Sequence, residues 1–172
     1  MKTKTFFLLC TLLLSSFAIQ KANAQESDIT QAIKFKPSSL IFGTVQMGYE
    51  IKVSKNSSFQ VDGVYIMRNI NEVEYTGFGG AVQYRFYLQD TALKGWFVGP
   101  YGLYASSTGT NDLKFTRTTV GLAIGYQFQL NPVIIDIFTG PAYYSFKADD
   151  PDYDAVLSGF GPLIGFSLGI GF

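Results

Sequence analysis

Large apolar side chains occupy every second position of the closing stretch, residues 159–172, and glycine or serine fills most of the positions between them. Because successive side chains of a strand point to opposite faces, this alternation predicts a strand with one bulky apolar face. The same period recurs between turn residues along the chain. It predicts eight strands, at residues 32–42, 45–53, 58–69, 75–88, 95–106, 115–130, 133–146 and 157–172.

The two faces of the predicted strands differ in size and polarity. In the sixth strand, one face carries Val120, Leu122, Ile124, Tyr126, Phe128 and Leu130, and the other carries Gly121, Ala123, Gly125, Gln127 and Gln129. A water-facing surface carries roughly a quarter or more charged residues, which neither face approaches. Bulky side chains that meet lipid around a narrow interior explain the pattern, because only closed barrels satisfy strand backbones in lipid.

The sequence therefore predicts an all-β fold, an eight-stranded antiparallel up-and-down transmembrane β-barrel. The alternative is a lipocalin-like secreted barrel, whose cavity would then lack an apolar lining because glycine and alanine would face it. Aromatic residues at both ends of the strands fit two interfacial belts of a membrane barrel. One belt would hold Phe86, Trp96, Tyr126, Phe128 and Phe172, and the other Tyr65, Tyr104 and Tyr143.

The first residues have the pattern of a secretory signal peptide. Lys2 and Lys4 precede an apolar run, residues 6–17, which is too short for the ~20 residues of a spanning helix. An A-x-A cleavage site at residues 22–24 predicts a signal peptide over 1–24 and a barrel domain over 25–172. A lipoprotein signal at Cys10 is rejected, because Leu9 stands where a small residue is expected.

Composition narrows the chemistry of the predicted mature chain. It has no cysteine and no histidine, and ten basic residues face 13 acidic ones once Lys2, Lys4 and Lys21 are removed. No basic stripe indicates nucleic acid. Because hydrolytic sites commonly use histidine as the base, its absence excludes the familiar mechanisms of barrel lipases and proteases. We expect no catalytic residues, no cofactor and no metal.

An even number of strands places both termini at one end of the barrel, which we expect to be periplasmic. Short periplasmic turns are then predicted at residues 54–57, 89–94 and 131–132, and outward segments at 70–74, 107–114 and 147–156. The last segment carries four acidic residues, Asp149, Asp150, Asp152 and Asp154. Asp150, Asp152 and Asp154 match the first half of a calcium loop but lack its glycine and distant glutamate, and we interpret the four residues as a solvated acidic loop.

Three Gly-Pro pairs interrupt the predicted strands, at residues 99–100, 140–141 and 161–162. Proline cannot donate to a strand ladder, so each pair predicts a bulge or local bend. The last two pairs flank the 147–156 segment at similar distances and are expected to lie near each other. A lateral opening to lipid is the alternative interpretation.

Charged residues on the inner faces fall at one depth. Counted from the periplasmic strand ends, Glu50, Asp62, Arg85 and Asp136 all point inward, three to five residues deep. Because buried charges must pair, we predict a buried ion cluster with Arg85 as the central cation, which plugs the lumen. Lys34 and Lys36 would join it if the first strand is correct. The alternative is a wetted mouth whose charges matter little.

The segments "GWFVGPYGLY" (95–104) and "DIFTGPAY" (136–143) and the alternation that ends in Phe172 resemble a Bacteroidetes-type family of small outer-membrane barrels of largely uncharacterised function. The wider resemblance is to OmpA/OmpX-like eight-stranded barrels. It implies a Gram-negative outer membrane and no catalytic residues. It also implies that Phe172 is the assembly signal read by the barrel assembly machinery.

These observations together predict a non-enzymatic outer-membrane protein with a structural or surface-interaction role. Its expected partners are outer-membrane lipids, lipopolysaccharide and the assembly machinery, and a monomer is expected. The alternative is a narrow channel or lateral conduit for small apolar molecules. A weaker alternative is a lipid-modifying enzyme.

Overall fold

The computed structural model describes residues 29–70, 73–110, 113–150 and 153–172. The predicted signal peptide, residues 1–24, and Asp152 of the acidic segment lie outside the described residues. Within those ranges, no helix has both the length and the apolar character needed to cross a membrane.

The chain folds as an all-β barrel whose strands follow one another in sequence order and close through the first and last. Each strand pairs antiparallel with its neighbours, so the predicted eight-stranded antiparallel up-and-down barrel is confirmed. The strands are β1 (Gln31–Phe35), β2 (Thr44–Ser54), β3 (Ser57–Ile70), β4 (Val73–Tyr87), β5 (Gly95–Gly109), β6 (Lys114–Leu130), β7 (Val133–Asp150) and β8 (Tyr153–Gly171).

The first strand is much shorter than predicted. The pattern gave 32–42, but β1 ends at Phe35 and a 3₁₀ helix follows over Pro37–Phe42. Pro37 explains the difference, because proline has no backbone N–H for the ladder and its fixed φ suits the first turn of a helix. Gly43 then ends the helix with a left-handed φ of 65°, and its N–H donates to the carbonyl of Leu40.

The predicted outward loops are largely strand. β7 and β8 pair continuously up to Asp150 and Tyr153, so most of the predicted 147–156 loop belongs to a hairpin. The segments 70–74 and 107–114 are likewise shortened by β3, β4, β5 and β6. The physical reason is that backbone pairing needs no apolar alternation, so the ladder continues where the side-chain signal has ended.

The two faces of the wall separate as the alternation predicts. Outward side chains are bulky, apolar and exposed, for example Phe78 at 74% and Phe160 at 86%. Inward side chains such as Ala123 and Gln127 are fully buried. The interior therefore buries charged, polar and small side chains together with apolar ones such as Phe97 and Phe138, while the continuous bulky apolar face is the exposed one, unlike a domain that folds around an oily core in water.

The strand register does not shift at the Gly-Pro pairs, so they form no bulge, and the local bend given as the alternative stays a prediction. The register of β7 with β8 runs without a shift through Pro141, which lies directly opposite Pro162, so these two pairs do adjoin each other. The β6–β7 ladder lacks two residue pairs beside Gly140 but resumes in the same register. A Cβ on Gly140 would lie 1.9 Å from the carbonyl oxygen of Leu122, so glycine permits a close approach of the strands here.

Closure of the barrel is confined to one end. β1 pairs with β8 only from Ala32 opposite Gly171 to Phe35 opposite Leu168. Above Leu168, the 3₁₀ helix takes the place of a strand, and the hydroxyl of Ser38 bonds both backbone groups of Phe166. Among the residues that the structure describes, the long β7–β8 hairpin therefore has a free edge toward its outer end.

Candidate functional site

The interior of the barrel near the Phe172 end holds a set of fully buried charges. Alternation along β2, β3, β4 and β7 directs Glu50, Asp62, Arg85 and Asp136 inward, and each is at most 1% exposed. Lys34 on β1 and Lys36 just after it are also buried, at 1% and 3%. Three cations and three carboxylates thus share the interior and balance each other in charge.

Four of these groups form one network. Lys34 Nζ contacts the carboxylates of both Glu50 and Asp136. Arg85 Nη1 lies 3.2 Å from Asp136 Oδ2 and 3.6 Å from Glu50 Oε2. Each carboxylate therefore sits between two cations, and Arg85 shares with Lys34 the central position that the sequence assigned to Arg85 alone.

Asp62 does not join this network. It accepts from Lys36 Nζ at 2.7 Å, from Gln60 Nε2 at 2.7 Å and from Gln46 Nε2 at 3.0 Å. Lys36 also lies over the rings of Tyr101 and Phe138, 5.7 and 5.5 Å from their centroids. The predicted single cluster is therefore two neighbouring groups, one around Arg85 and one around Asp62.

Neutral side chains complete the coordination of Arg85. Its guanidinium donates to Gln83 Oε1 at 3.0 and 2.9 Å and to Gln127 Oε1 at 3.0 Å. The group also stacks on Phe97, 4.3 Å from the ring centroid. Such fixed donors and acceptors are what a buried charge needs to remain ionised.

Glu50 has hydroxyl partners that the sequence prediction did not include. The hydroxyl of Tyr87 lies 2.8 Å from Glu50 Oε1 and 2.7 Å from Gln127 Oε1, where its one proton is shared, and Ser58 donates to Glu50 as well. Tyr87 could have been found by continuing the odd-numbered inward face of β4 two residues beyond Arg85. Gln83 and Gln127 could have been found in the same way, because each is a polar residue on an inward face that otherwise carries small residues.

The arrangement suits a plug better than a reaction centre. Every carboxylate of the two groups accepts from a cation, and the side chains of both groups are almost fully buried. An eight-stranded barrel is just wide enough for its side chains to fill it. The two groups therefore tie β1, β2, β3, β4, β6 and β7 together across the lumen.

Phe172 lies at the same end of the barrel, on its outer surface. Its ring is 56% exposed, and its backbone N–H donates to the carbonyl of Gln31 at 2.9 Å. Its carbonyl accepts from the N–H groups of Thr30 and Gln31. The terminal residue therefore takes part in closing β8 onto β1 and leaves its ring accessible.

The chain matches the sequence model of one family, described as a protein of unknown function (DUF3575), over residues 6–150. That match covers most of the chain and ends where β7 ends. No curated protein and no solved structure matches the chain.

Proposed function

The chain belongs to the DUF3575 family, and with that as the starting point we propose that it is a non-enzymatic outer-membrane barrel with a closed lumen and a structural or surface-interaction role. The observation that carries the proposal is the exposed, bulky and apolar outer face of the wall, together with fully buried charges in an interior that also holds apolar side chains such as Phe97. Exposed apolar patches beyond a few hundred Å² are rare on soluble monomers and mark membrane or partner contact. A lipocalin-like barrel would bury its apolar side chains instead.

The outward aromatic residues support the same placement. Trp96 packs against Tyr126 at the Phe172 end, with centroids 5.4 Å apart, and Tyr143 packs against Phe160 toward the other end, at 5.2 Å. Aromatic belts of this kind mark the two interfaces of a membrane barrel. Between them, the outward side chains of β6, such as Ile124, are apolar.

We propose the cellular setting that follows from this placement. Residues 1–24 are a cleaved signal peptide and residues 25–172 the mature barrel, in the outer membrane of a Gram-negative cell. Its partners are outer-membrane lipids, lipopolysaccharide and the barrel assembly machinery, and it acts as a monomer without nucleic acid. We also propose that the protein is related to Bacteroidetes-type small outer-membrane barrels and, more widely, to OmpA/OmpX-like barrels.

The ion network predicts the conductance of the barrel. Because side chains from six strands meet across the lumen, we expect the wild-type protein in a planar bilayer to give no steady single-channel current. A porin of known conductance, reconstituted in the same way, is the control. A steady open level from the wild-type protein would contradict the closed lumen while leaving the membrane placement intact.

Phe172 predicts an assembly phenotype. Deleting Phe172 should reduce the amount of folded protein in the outer membrane several-fold, because the exposed terminal ring is then unavailable to the assembly machinery. Ile124→Ala, which removes one outward apolar side chain elsewhere, is the matched control and should leave that amount nearly unchanged. The measurement is the heat-modifiable band in outer-membrane fractions, and normal levels of the deletion variant would refute the assigned role.

A second candidate function is favoured by the free edge of β8. A lateral conduit for apolar molecules needs an opening in the wall rather than a pore along the axis, and within the described residues no strand pairs with the β1 side of β8 above Leu168. A plugged lumen and a lateral opening are compatible, because they lie at different heights of the barrel.

A further inference from the structure

The free edge of β8 is capped by side chains instead of a strand. Its even-numbered residues direct their backbone groups toward β1, as Phe172 and Phe166 show through their bonds to Gln31 and Ser38. Within the described ranges, no strand pairs with this side of β8 from Tyr153 to Ser167.

Two features make this edge stable without a neighbouring strand. Pro162 has no N–H, so no donor is left unpaired at that position. Its carbonyl accepts from the hydroxyl of Tyr144 at 2.7 Å, and the ring of Tyr144 crosses Gly161 to reach it. With Ser38 bonded to Phe166, the backbone groups of Pro162 and Phe166 are satisfied without a neighbouring strand. This matters because unsatisfied backbone groups are costly next to lipid.

A cation lies behind this opening. Arg117 on β6 faces the interior, with its guanidinium 5.6 and 5.7 Å from the ring centroids of Tyr144 and Phe146 on the neighbouring β7, and the hydroxyl of Tyr144 reaches β8 at Pro162. Its Nε donates to the hydroxyl of Thr119 at 3.3 Å. Among the charged side chains that the structure describes, no carboxylate pairs with Arg117, in contrast to Arg85 and both interior lysines.

The β8 edge is flanked by exposed apolar side chains on its outer side and by open space on its inner side. Outside the edge lie Phe160 and Ile164, exposed at 86% and 67%. On the inner side, a Cβ at Gly159 would meet open space, and Leu157 is 74% exposed. An acyl chain can therefore approach along side chains of its own polarity.

We propose that this opening binds an anionic amphiphile, with its carboxylate or phosphate on Arg117 and its acyl chain passing over Gly159 to the lipid. The assignment rests on the proposed membrane placement of the barrel. The site would use three features together: the apolar outer wall, the β8 edge, and a cation that pairs with no carboxylate among the described side chains. Guanidinium groups suit both kinds of anionic head, because they present several donors in a fixed plane.

The test uses the full chain in phosphatidylcholine vesicles. The probes are stearic acid with a nitroxide near the end of its chain, and its uncharged methyl ester, both at alkaline pH. The fraction of immobilised spectrum measures binding. We expect the wild-type protein to prefer the acid by about tenfold or more, the effect of one charge-assisted hydrogen bond.

Two pairs of variants separate the parts of the site. Arg117→Gln should reduce binding of the acid to that of the ester, while Lys114→Gln, an exposed charge removed from the outer face of the same strand, should not. Gly159→Phe should block both probes, while Gly63→Phe, placed at an outward glycine that also borders open space, should not.

Each outcome decides between the proposals. Protein that fails to float with the vesicles contradicts the membrane placement itself. The amphiphile site alone is overturned if the protein floats but binds the acid and the ester equally. It is also overturned if Lys114→Gln lowers binding of the acid as much as Arg117→Gln does. Displacement of the acid by phosphatidylglycerol assigns the head group to a membrane phospholipid, and lack of displacement assigns it to a free acid.

Discussion

Replacing Arg85 with alanine is expected to lower the free energy of unfolding of the barrel by about 3–5 kcal/mol, the cost of breaking a buried ion pair from one side. The guanidinium is fully buried and holds Asp136 and Glu50 at 3.2 and 3.6 Å. Its loss leaves Lys34 alone to neutralise two carboxylates that water cannot reach. It also removes the donors to Gln83, so a neutral acceptor loses its partner as well.

The matched control for this variant is Arg68→Ala, which removes the same side chain from an exposed position on β3. Its expected cost is below about 1 kcal/mol, in line with exposed charges. Denaturant unfolding in detergent micelles, followed by circular dichroism and by gel mobility, measures both. Equal and small losses for the two variants would contradict the buried network and favour charges in a wetted mouth.

Replacing Ile124 with arginine is expected to lower the free energy of unfolding in lipid by about 2–4 kcal/mol, because a charge at the middle of a membrane barrel's outer face must leave water. Ile124 is an outward residue of β6, 49% exposed and lying midway between Val120 and Phe128. If the same surface faced water, the substitution would change stability by about 0.5 kcal/mol at most.

The control for this second variant lies on the same face of the same strand. Thr118→Arg places the charge beyond the apolar stretch, where the cost near an interface falls to about 0–1 kcal/mol. Unfolding of both variants in phosphatidylcholine vesicles supplies the comparison. Equal stability of the two variants would show that depth along β6 does not matter, which a membrane barrel does not allow.

The strands and their facing could be predicted because the side-chain period of a strand is two and one face is bulky throughout, as in β6. The end of the first strand could not. Its apolar alternation is weak. Whether Pro37 ends the strand or is tolerated within it depends on whether a neighbouring strand needs its missing N–H for pairing. The extension of β7 and β8 also escaped prediction, because polar residues pair through their backbones without leaving a pattern.

The sequence was enough to predict which charged residues are buried, but not how they divide into two groups. Inward parity and depth were enough to select Glu50, Arg85 and Asp136. Depth counted along a strand ignores the tilt and stagger of strands in a closed barrel, so Asp62 was assigned to the same layer although it pairs with Lys36. The free edge of β8 exists because β1 is short. Since the end of β1 could not be predicted, this edge could not be predicted either.

The contact between the outward wall and lipid can be measured directly along β6. Single cysteines at residues 120–128, with Cys10 replaced by serine, would carry nitroxide labels in phosphatidylcholine vesicles. The account predicts that labels at Val120, Leu122, Ile124, Tyr126 and Phe128 are accessible to oxygen and protected from a water-soluble nickel chelate. Labels at the residues between them should be protected from both. Even-numbered labels that meet the nickel chelate as readily as an exposed label at Lys94 would contradict the membrane barrel.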